Sequence, residues 1–266
     1  MTAATLAPQE QQNLSQAIDY SHIQSVADIW PIVAKRFPDQ VALDDPHGTP
    51  ARRLTYGELA QQIRQFAAGL QALGIRPQDK VALFSDNQPR WLVVDQGIMT
   101  AGAVDAVRGS QADKDELAFI LDNSDSVAMI VQDQATLTKL ADSLGDKNLR
   151  FIALLSDETP QLETTARLLN FNQVMELGKG GELAEVNCDR TTLATLMYTS
   201  GTSGRPKGVM LSQANLLSQV TGACSVVYPA PGSKVMSILP IWHCYERTFE
   251  YFTLSQGVHQ IYTNIR

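Results

Sequence analysis

Residues 198–208 read Tyr198-Thr199-Ser200-Gly201-Thr202-Ser203-Gly204-Arg205-Pro206-Lys207-Gly208. Three of these residues are glycines, which let a backbone approach a ligand closely. The hydroxyls, the backbone amides and the lysine of this stretch are hydrogen-bond donors, and it contains no acidic residue. Donors that converge without a competing negative charge suit a phosphate chain, so we predict a phosphate-binding loop here.

The residues around this loop favour one setting and exclude another. It follows an apolar, strand-like run at residues 193–198 and precedes a predicted helix that begins near Ser212. Phosphate loops usually lie between a strand and a helix. The Walker A pattern is not met, because Pro206 precedes Lys207 and a glycine follows it. The spacing therefore excludes a P-loop NTPase.

The stretch resembles the phosphate-binding motif of the adenylate-forming enzymes, a family that includes acyl-CoA synthetases, luciferases and the adenylation domains of peptide synthetases. The family pattern reads Tyr-Thr-Ser-Gly-Thr-Thr/Ser-Gly-x-Pro-Lys-Gly, and every fixed position is matched here. A Ser/Gly-rich surface linker is the alternative. A linker, however, does not predict the opening tyrosine or the closing Pro-Lys-Gly.

A second motif narrows the resemblance to one branch of the family. Residues 239–247 read Leu-Pro-Ile-Trp-His-Cys-Tyr-Glu-Arg and are similar to the Leu-Pro-x-x-His-x-x-Glu-Arg segment of long-chain fatty acyl-CoA synthetases and acyl–acyl carrier protein synthetases. Upstream, residues 54–59, 85–91 and 101–109 resemble the N-terminal half of the same enzymes. The resemblance therefore covers residues 25–266, nearly the whole chain.

Apolar periodicity divides the chain into alternating helices and strands. Thr55 and Glu58 form a capping-box pattern at the start of one helix, and Gly74 marks its end. Further helices are predicted at residues 90–100, 114–123 and 134–144, from residue 212, and at residues 242–255. Strands are predicted at residues 81–85, 127–131, 151–155, 193–199, 235–239 and 259–262. This alternation predicts an α/β fold with parallel strands.

The resemblance implies the same fold class: the N-terminal part of the adenylate-forming fold, with parallel-rich sheets flanked by helices. Residues 1–24 are polar and predict a disordered leader, and residues 25–266 predict an incomplete AMP-binding domain. Residues 157–190 predict an irregular connection. The family continues beyond the position of Arg266 with an adenine-contacting segment and a C-terminal domain that carries a catalytic lysine. We therefore expect this chain to be the N-terminal half of a larger enzyme, inactive alone.

Composition limits the classes of function. A net charge of −7 and a pI near 5.1 argue against general affinity for nucleic acid. The three cysteines lack metal-ligand spacing and cannot all pair, which favours a reducing cytoplasm. No apolar run reaches the ~18 residues of a membrane span, and no signal-peptide pattern opens the chain. Peripheral membrane contact stays open, because a fatty substrate partitions into lipid.

The first motif implies a nucleotide site with ATP and Mg²⁺ as cofactors. Lys207 is expected to be catalytic, acting as a point charge on the phosphates. Thr199 is expected to orient Mg²⁺ through water, with Thr202 as the less favoured alternative. The phosphate-binding residues that the motif implies are Thr199, Ser200, Gly201, Thr202, Ser203, Gly204 and Lys207.

The second motif implies an acyl-binding set of Trp242, His243 and Glu246. His243 is expected to be catalytic beside the substrate carboxylate, although a lone histidine is more often a buried one bonded to a backbone carbonyl. Trp242 either walls the acyl tunnel or is an ordinary core tryptophan. Glu246 either orients His243 from one helical turn away or forms a solvated charge pair with Arg247.

Three functions follow as alternatives. The leading one is ATP-dependent activation of a long-chain fatty acid to an acyl-adenylate and then to a thioester, with coenzyme A or acyl carrier protein as the thiol acceptor. The second keeps this chemistry with another carboxylic acid, but the form of the 239–247 motif favours the long-chain branch. The third is an inactive nucleotide- or acyl-binding module that depends on a partner, such as the missing C-terminal part.

Overall fold

Two β-sheets, with helices packed around them, form the structure. The computed structural model describes residues 7–145, 147–199, 205–224 and 226–263. The helices are α1 (Pro8–Gln16), α2 (Ile29–Arg36), α3 (Tyr56–Ala72), α4 (Pro89–Thr100), α5 (Lys114–Asn123), α6 (Gln134–Leu140), α7 (Phe171–Gly178), α8 (Gln213–Ala223) and α9 (Cys244–Ser255). The strands are β1 (Val41–Asp45), β2 (Arg52–Thr55), β3 (Lys80–Phe84), β4 (Val104–Arg108), β5 (Ser126–Val131), β6 (Phe151–Leu154), β7 (Arg167–Asn170), β8 (Leu193–Thr199), β9 (Lys207–Ser212), β10 (Lys234–Ser237) and β11 (His259–Tyr262).

The larger sheet runs in the order β7-β6-β5-β3-β4-β8-β9. Its neighbouring strands are parallel except for β8 and β9, which are antiparallel. Successive residues of β3 enter different cores: Val81 and Leu83 pack in one, and Ala82 and Phe84 in the other. Helices therefore cover both faces, as parallel strands require. The predicted α/β fold with parallel-rich sheets is confirmed.

The smaller sheet runs in the order β10-β11-β1-β2 and joins segments that are far apart in the sequence. Strand β11 is parallel to both of its neighbours, with Gln260 opposite Leu43, whereas β1 and β2 are antiparallel. The hydroxyl of Tyr56 donates a hydrogen bond of 2.6 Å to the carbonyl of Val258 and fixes the start of α3 to this sheet. Closing the sheet therefore brings residues 234–262 beside the N-terminal third of the chain.

Helix α3 begins and ends as the sequence predicts. The backbone N–H of Thr55 donates to the Glu58 carboxylate at 2.8 Å, and the Thr55 hydroxyl accepts from the N–H of Glu58 at 3.2 Å. These two bonds satisfy donors that a helix start leaves unpaired. Beyond the last turn, Gly74 adopts a φ of +83°, a conformation that suits glycine and stops the helix. Among the described residues, none of the helices is long and apolar enough to cross a membrane.

The start of the chain differs from the predicted leader. Residues 8–16 form α1, and Asn13 donates a side-chain hydrogen bond of 2.8 Å to the carbonyl of Tyr228. Tyr20 and Ile23 are buried in the main core, and the Tyr20 hydroxyl donates to the carbonyl of Ser255 at 2.7 Å. The folded unit therefore begins before the predicted boundary at residue 25, because these isolated apolar side chains in a polar stretch find a core to enter.

The prediction of an irregular connection is wrong for part of residues 157–190. Strand β7 pairs with β6, and α7 follows it with Asn170 as its N-cap. The prediction failed because α7 is short and buries only Phe171, Val174 and Gly178. At Gly178 a side chain would collide with the backbone carbonyl of Gln65, so α7 lies directly against α3. Strands β1, β2, β4 and β9 were also not predicted.

Candidate active site

The predicted phosphate loop connects β8 and β9. These strands form an antiparallel pair in which Thr199, the last residue of β8, lies opposite Lys207, the first of β9. Both side chains are exposed. Ser200, Gly201, Thr202, Ser203 and Gly204, which the motif assigns to phosphate binding, lie outside the described residues. The structure therefore places the two ends of the loop in register across a hairpin.

The predicted strand before the loop and the predicted helix after it are confirmed, but an unpredicted strand separates the loop from that helix. Ser212 caps α8 as expected, its hydroxyl accepting from the N–H of Asn215 at 3.4 Å. Strand β9, however, stands between the loop and that helix. Six extended residues span roughly 15–20 Å, whereas the field of a helix end fades within one turn. The N-terminus of α8 therefore lies at the far end of β9 from Lys207.

The first and last residues of the motif pack on each other. Tyr198 and Gly208 face one another across the β8–β9 pair. A side chain at Gly208 would come within 3.0 Å of the Tyr198 ring, which is buried. The Tyr198 hydroxyl donates to the side-chain oxygen of Asn123 at 2.9 Å, and burial raises its pKa. These two positions of the motif therefore hold the hairpin to the sheet, a role that a linker would not need.

Asn87 fixes the second motif region at the end of β3. It follows β3 at the carboxyl end of the parallel sheet, the same end at which β8 runs into the loop. Its side-chain amide donates to the Leu239 carbonyl and to the Ser237 hydroxyl, each at 2.7 Å, and its oxygen accepts from the N–H of Ile241 at 2.9 Å. In open α/β sheets, ligands bind beyond the carboxyl ends of the strands, at the point where the strand order reverses.

Trp242 lies over the end of β4. It is partly buried, packs against the main core, and covers Gly109, the residue that follows β4. A side chain on Gly109 would approach the indole ring to 2.5 Å, so this glycine gives the ring its place. The ring therefore lines the carboxyl edge of the sheet, and it is neither wholly a core residue nor free in solvent.

His243 is the N-cap of α9 and is exposed. Its Nδ1 accepts a long hydrogen bond of 3.4 Å from the N–H of Tyr245. In the neutral ring an accepting Nδ1 leaves the hydrogen on Nε2. The exposed side of the imidazole therefore offers an N–H donor. The alternative of a buried histidine bonded to a carbonyl is wrong, because the side chain is exposed.

Glu246 turns away from His243. Glu246 does not orient His243, because the described residues include no hydrogen bond between the two side chains. Nor is it part of a solvated charge pair, because it is only 5% exposed. Burial raises the pKa of its carboxyl, while the Ser237 hydroxyl and the backbone N–H groups of Ile238 and Leu239 lower it. Glu246 therefore lies beside the segment that leads into the second motif, and its Oε1 is buried and accepts no hydrogen bond from a described residue.

Glu250, one turn further along α9, is fully buried beside Glu246. It accepts hydrogen bonds from the Ser237 hydroxyl at 2.7 Å and from the Tyr262 hydroxyl at 3.2 Å. Burial raises its pKa to about 8, with the negative charge of Glu246 adding to the effect. Because Ser237 also contacts Asn87, the hydrogen bonds continue from the end of β3 into the helix. Sequence reasoning missed this residue.

Arg247 lies at the centre of a fully buried polar cluster. Its guanidinium donates to Asp95, to Asp105 at 2.5 Å and to the Thr195 hydroxyl at 2.7 Å. Tyr251 accepts from its Nε and donates to Asp95. The cluster therefore fastens α9 to helix α4 and to strands β4 and β8, the strand that runs into the phosphate loop.

Burial and the neighbouring opposite charges have opposing effects on the pKa values of this cluster. Burial disfavours the Arg247 cation, but the carboxylates of Asp105 and Asp95 together raise its pKa well above the usual value. Burial raises the pKa of Asp105 well above its usual range, and the Arg247 charge opposes this only in part. Sequence reasoning did not assign either aspartate a role. The available signal was an acidic residue inside each of two apolar runs, which needs a buried partner.

The arrangement offers donors around one edge of the sheet. Lys207 supplies an ammonium group, the Thr199 hydroxyl lies opposite it, and His243 supplies an imidazole N–H. In the described part of the chain no three His, Cys, Asp or Glu side chains come together as a metal site. The exposed Thr199 hydroxyl is a hard oxygen donor and fits a cation held mainly by phosphate and water.

Comparison with known proteins identifies relatives of this chain. The chain is 41% identical over 265 residues to the long-chain fatty acid–acyl carrier protein ligase AEE15, chloroplastic, of Arabidopsis thaliana, covering 94% of this chain and 36% of that protein. It is 29% identical to the long-chain fatty acid–CoA ligase FadD15 of Mycobacterium tuberculosis, covering 77% of this chain and 35% of that one. The chain thus spans about a third of the length of these relatives.

A solved structure shares the fold. The N-terminal domain of FACL13 from Mycobacterium tuberculosis matches with a TM-score of 0.74 and 23% identity, over 91% of this chain and 57% of that one. The sequence also matches the family described as AMP-binding enzymes over residues 31–265. Since this match covers most of its length, the chain belongs to the AMP-binding enzyme family.

Proposed function

We propose that this chain supplies the phosphate- and acyl-binding part of an AMP-forming ligase that joins a long-chain fatty acid to a thiol. The observation that carries the proposal is that the second motif and the end of β8, where the phosphate loop begins, lie at the same carboxyl edge of the sheet. Asn87 fixes the second motif beside the end of β3, and the phosphate hairpin extends from β8 two strands away. The names of AEE15 and FadD15, both long-chain fatty acid ligases, agree with a long-chain acid as substrate.

The first step activates a poor electrophile. A carboxylate oxygen of the acid attacks the α-phosphorus of ATP, the bond to the β-phosphate breaks, and pyrophosphate leaves with its electron pair. The products are an acyl-adenylate and pyrophosphate. Transfer at phosphorus depends mostly on positioning and on neutralising charge, which are what fixed donors provide.

The phosphate hairpin would neutralise the leaving pyrophosphate. Lys207 supplies the positive charge, and its place opposite Thr199 brings a hydroxyl to the same ligand. Ser200, Gly201, Thr202, Ser203 and Gly204 complete the binding loop in this proposal. When bound, Mg²⁺ would supply positive charge to the phosphate oxygens, and Thr199 is the residue that would hold it, through water.

The second motif would hold the acid. The Nε2–H of His243 is an exposed donor for the substrate carboxylate and then for the carbonyl of the acyl-adenylate. Trp242 offers an apolar wall at the end of β4 for the acyl chain. Glu246, which is buried, acts through the 237–239 segment as a positioning residue and does not touch the acid. In the second step a thiol sulfur attacks the acyl carbon, AMP leaves, and the thiol proton is released.

The thiol acceptor is coenzyme A or the thiol arm of acyl carrier protein, since AEE15 is an acyl carrier protein ligase and FadD15 a CoA ligase. The expected compartment, the cytoplasm, stays a prediction, since AEE15 is described as chloroplastic. Peripheral membrane contact also stays a prediction.

A partner-dependent role for the isolated chain is the second candidate, and exposed apolar residues favour it. Edge strand β9 exposes Met210 to 67%, and edge strand β10 and the residues after it expose Met236 and Ile238 to 53% and 50%. Exposed apolar edge strands pair readily with another polypeptide. In this role the chain binds its ligands but turns over only with the part of the enzyme that its relatives carry in addition.

Fatty-acid-dependent exchange of radiolabelled pyrophosphate into ATP tests both candidates. The chain would be assayed alone, and as a chimera followed by the part of AEE15 beyond the matched region. We expect palmitate-dependent exchange in the chimera, reduced in the chimera by His243→Ala, and none in the chain alone. Exchange that is absent from the chimera with palmitate but present with a short or aromatic acid would overturn the long-chain assignment.

A further inference from the structure

Thr195 is a polar residue inside the apolar strand β8. Ala194 and Leu196 on either side of it are apolar, and Thr195 itself is completely buried. Valine has nearly the same shape and also favours strands. Burying a hydroxyl costs free energy unless it is hydrogen-bonded, so the packing of the strand does not explain a threonine here. The reason for the hydroxyl therefore lies in the bond that it makes.

The Thr195 hydroxyl accepts a hydrogen bond of 2.7 Å from the guanidinium of Arg247 on α9. In the part of the chain that the structure describes, this is the one side-chain hydrogen bond between α9 and β8. The carboxylates of Asp95 on α4 and Asp105 on β4 accept from the same guanidinium. Because the guanidinium is planar and its N–H groups form a rigid fork, partners on three elements fix both its position and its orientation.

This bond links the two parts of the candidate active site. Every second residue of a strand faces the same side, so Thr199, at the end of β8, lies on the same face as Thr195. On α9, His243 precedes Arg247 by one helical turn, and Trp242 places this end of the helix at the end of β4. The hydrogen bond therefore joins the helix that presents His243 to the strand that runs into the phosphate loop.

We propose that Thr195 is a positioning residue that, through Arg247, sets the place of His243 relative to the phosphate hairpin. The inference rests on the proposed function, in which His243 holds the acid and the hairpin holds ATP. Thr195 is buried and meets neither substrate. It limits how far α9 can slide or turn along β8, and so fixes the distance between the carboxylate and the phosphorus that it attacks. Misplacing a reacting group by ~1 Å can reduce a rate about 100-fold.

Thr195→Val removes the hydroxyl and keeps the shape of the side chain. Each subsite keeps its own residues, so the KM values for ATP and for palmitate should stay within about twofold of those of the parent chimera. The kcat of pyrophosphate exchange in the chimera should fall about tenfold or more, because the two bound substrates are no longer held in register. Thr195→Ser, which keeps the hydroxyl, should restore kcat to near the parent value.

Thr136→Val is the matched control. Thr136 is also a buried threonine, and its hydroxyl donates to Asp133 at 2.7 Å. It lies on α6, whose Leu137 packs in the core on the other face of the sheet from Arg247. Both valine variants lose a buried hydrogen bond, so both should lower the urea midpoint, but Thr136→Val should leave kcat unchanged where circular dichroism shows it folded. An equal fall of kcat in the two variants would overturn the proposal.

Hydrogen exchange of the ¹⁵N-labelled 266-residue chain tests the link without any substrate. In Thr195→Val the backbone amides of residues 248–252 on α9 should exchange faster, relative to those of α3, by about tenfold or more. Thr136→Val should leave this α9-to-α3 ratio as it is in the parent. If the ratio in Thr195→Val also equals that of the parent, Thr195 does not fix the helix and the proposal is overturned.

The two measurements separate this inference from the proposed function. A parent chimera without pyrophosphate exchange would contradict the proposed function, while the hydrogen-exchange ratio still decides whether Thr195 fixes α9. An active parent chimera whose kcat is unaffected by Thr195→Val would leave the proposed function standing and overturn the role of Thr195. A rise in the KM for ATP alone would make Thr195 part of the phosphate site and overturn its link to His243.

Discussion

Two residues of one motif, His243 and Arg247, have opposite environments. His243 is exposed at the cap of α9 with one long hydrogen bond, whereas Arg247 is completely buried among four hydrogen-bond partners. They lie four residues apart, on one helical turn. The comparison separates a side chain that can meet a ligand from one that fixes the helix presenting it. We therefore expect substitution of the buried Arg247 to lower the free energy of unfolding more than substitution of the exposed His243. We expect the opposite order for their effects on ligand binding.

The largest expected effect is the loss of the Arg247 cluster. Arg247→Met leaves Asp95 and Asp105 buried without their cation, which costs about 3–5 kcal/mol of unfolding free energy. Urea denaturation of the 266-residue chain, followed by circular dichroism, measures this. His243→Ala, which removes only a weak cap, should cost under about 1 kcal/mol. Equal losses in the two variants would remove the distinction between them.

The second effect is a dependence of stability on pH from Glu250. Its folded-state pKa is raised from 4.5 to about 8, so the folded state holds a proton that the unfolded state has released. Its contribution is therefore complete below pH 4.5 and is lost as pH rises to about 8, by up to ~1.4 kcal/mol per pH unit.

Glu250→Gln removes this titration while keeping the shape of the side chain. The variant should lose less stability than the parent between pH 5 and 8, as measured by urea midpoints at each pH. Glu58→Gln, at the exposed capping box, is the control and should follow the parent. A parent whose stability rises across this range, or a variant with the same slope, would contradict a proton on Glu250.

The third effect concerns Gly109, where Trp242 is seated. Gly109→Ala places a methyl group against the indole, so the ring must move, at a cost of about 1–3 kcal/mol. Tryptophan emission should shift, and Trp242→Phe should abolish that shift. Gly145→Ala, where a side chain meets no described atom within 4 Å, is the matched control and should be nearly neutral. An unshifted spectrum would mean that Trp242 does not depend on this contact.

These predictions depend on contacts that the sequence revealed only in part. Helix α3, with its capping box, and the strand Leu193–Thr199 could be read directly, because each is set by local periodicity and local caps. Strand β9 could not, because Lys207 and Gly208 are weak strand formers and gain their conformation from pairing with β8.

The supporting residues of the site were hidden for a related reason. The partners of Arg247 on α4 and β4 lie more than a hundred residues away in the sequence, so no local pattern joins them. One of the two alternatives for Glu246 made Arg247 its partner in a solvated charge pair, and the burial of Arg247 shows the opposite. Residues that face a ligand belong to short motifs, whereas the residues that fix them are brought together only by the topology of the sheet.

Lys207→Ala should have the smallest effect on stability of the four and a large one on the reaction. The side chain is exposed, so its loss should change unfolding free energy by under about 0.5 kcal/mol. Arg205→Ala removes another cation two residues away and is the matched control. In the chimera, the KM for ATP in pyrophosphate exchange should rise at least tenfold for Lys207→Ala and little for Arg205→Ala, with the KM for palmitate unchanged. Equal effects of the two variants would indicate general attraction of the nucleotide by positive charge. A loss confined to the first locates the phosphate contact at the residue that faces Thr199 across the hairpin.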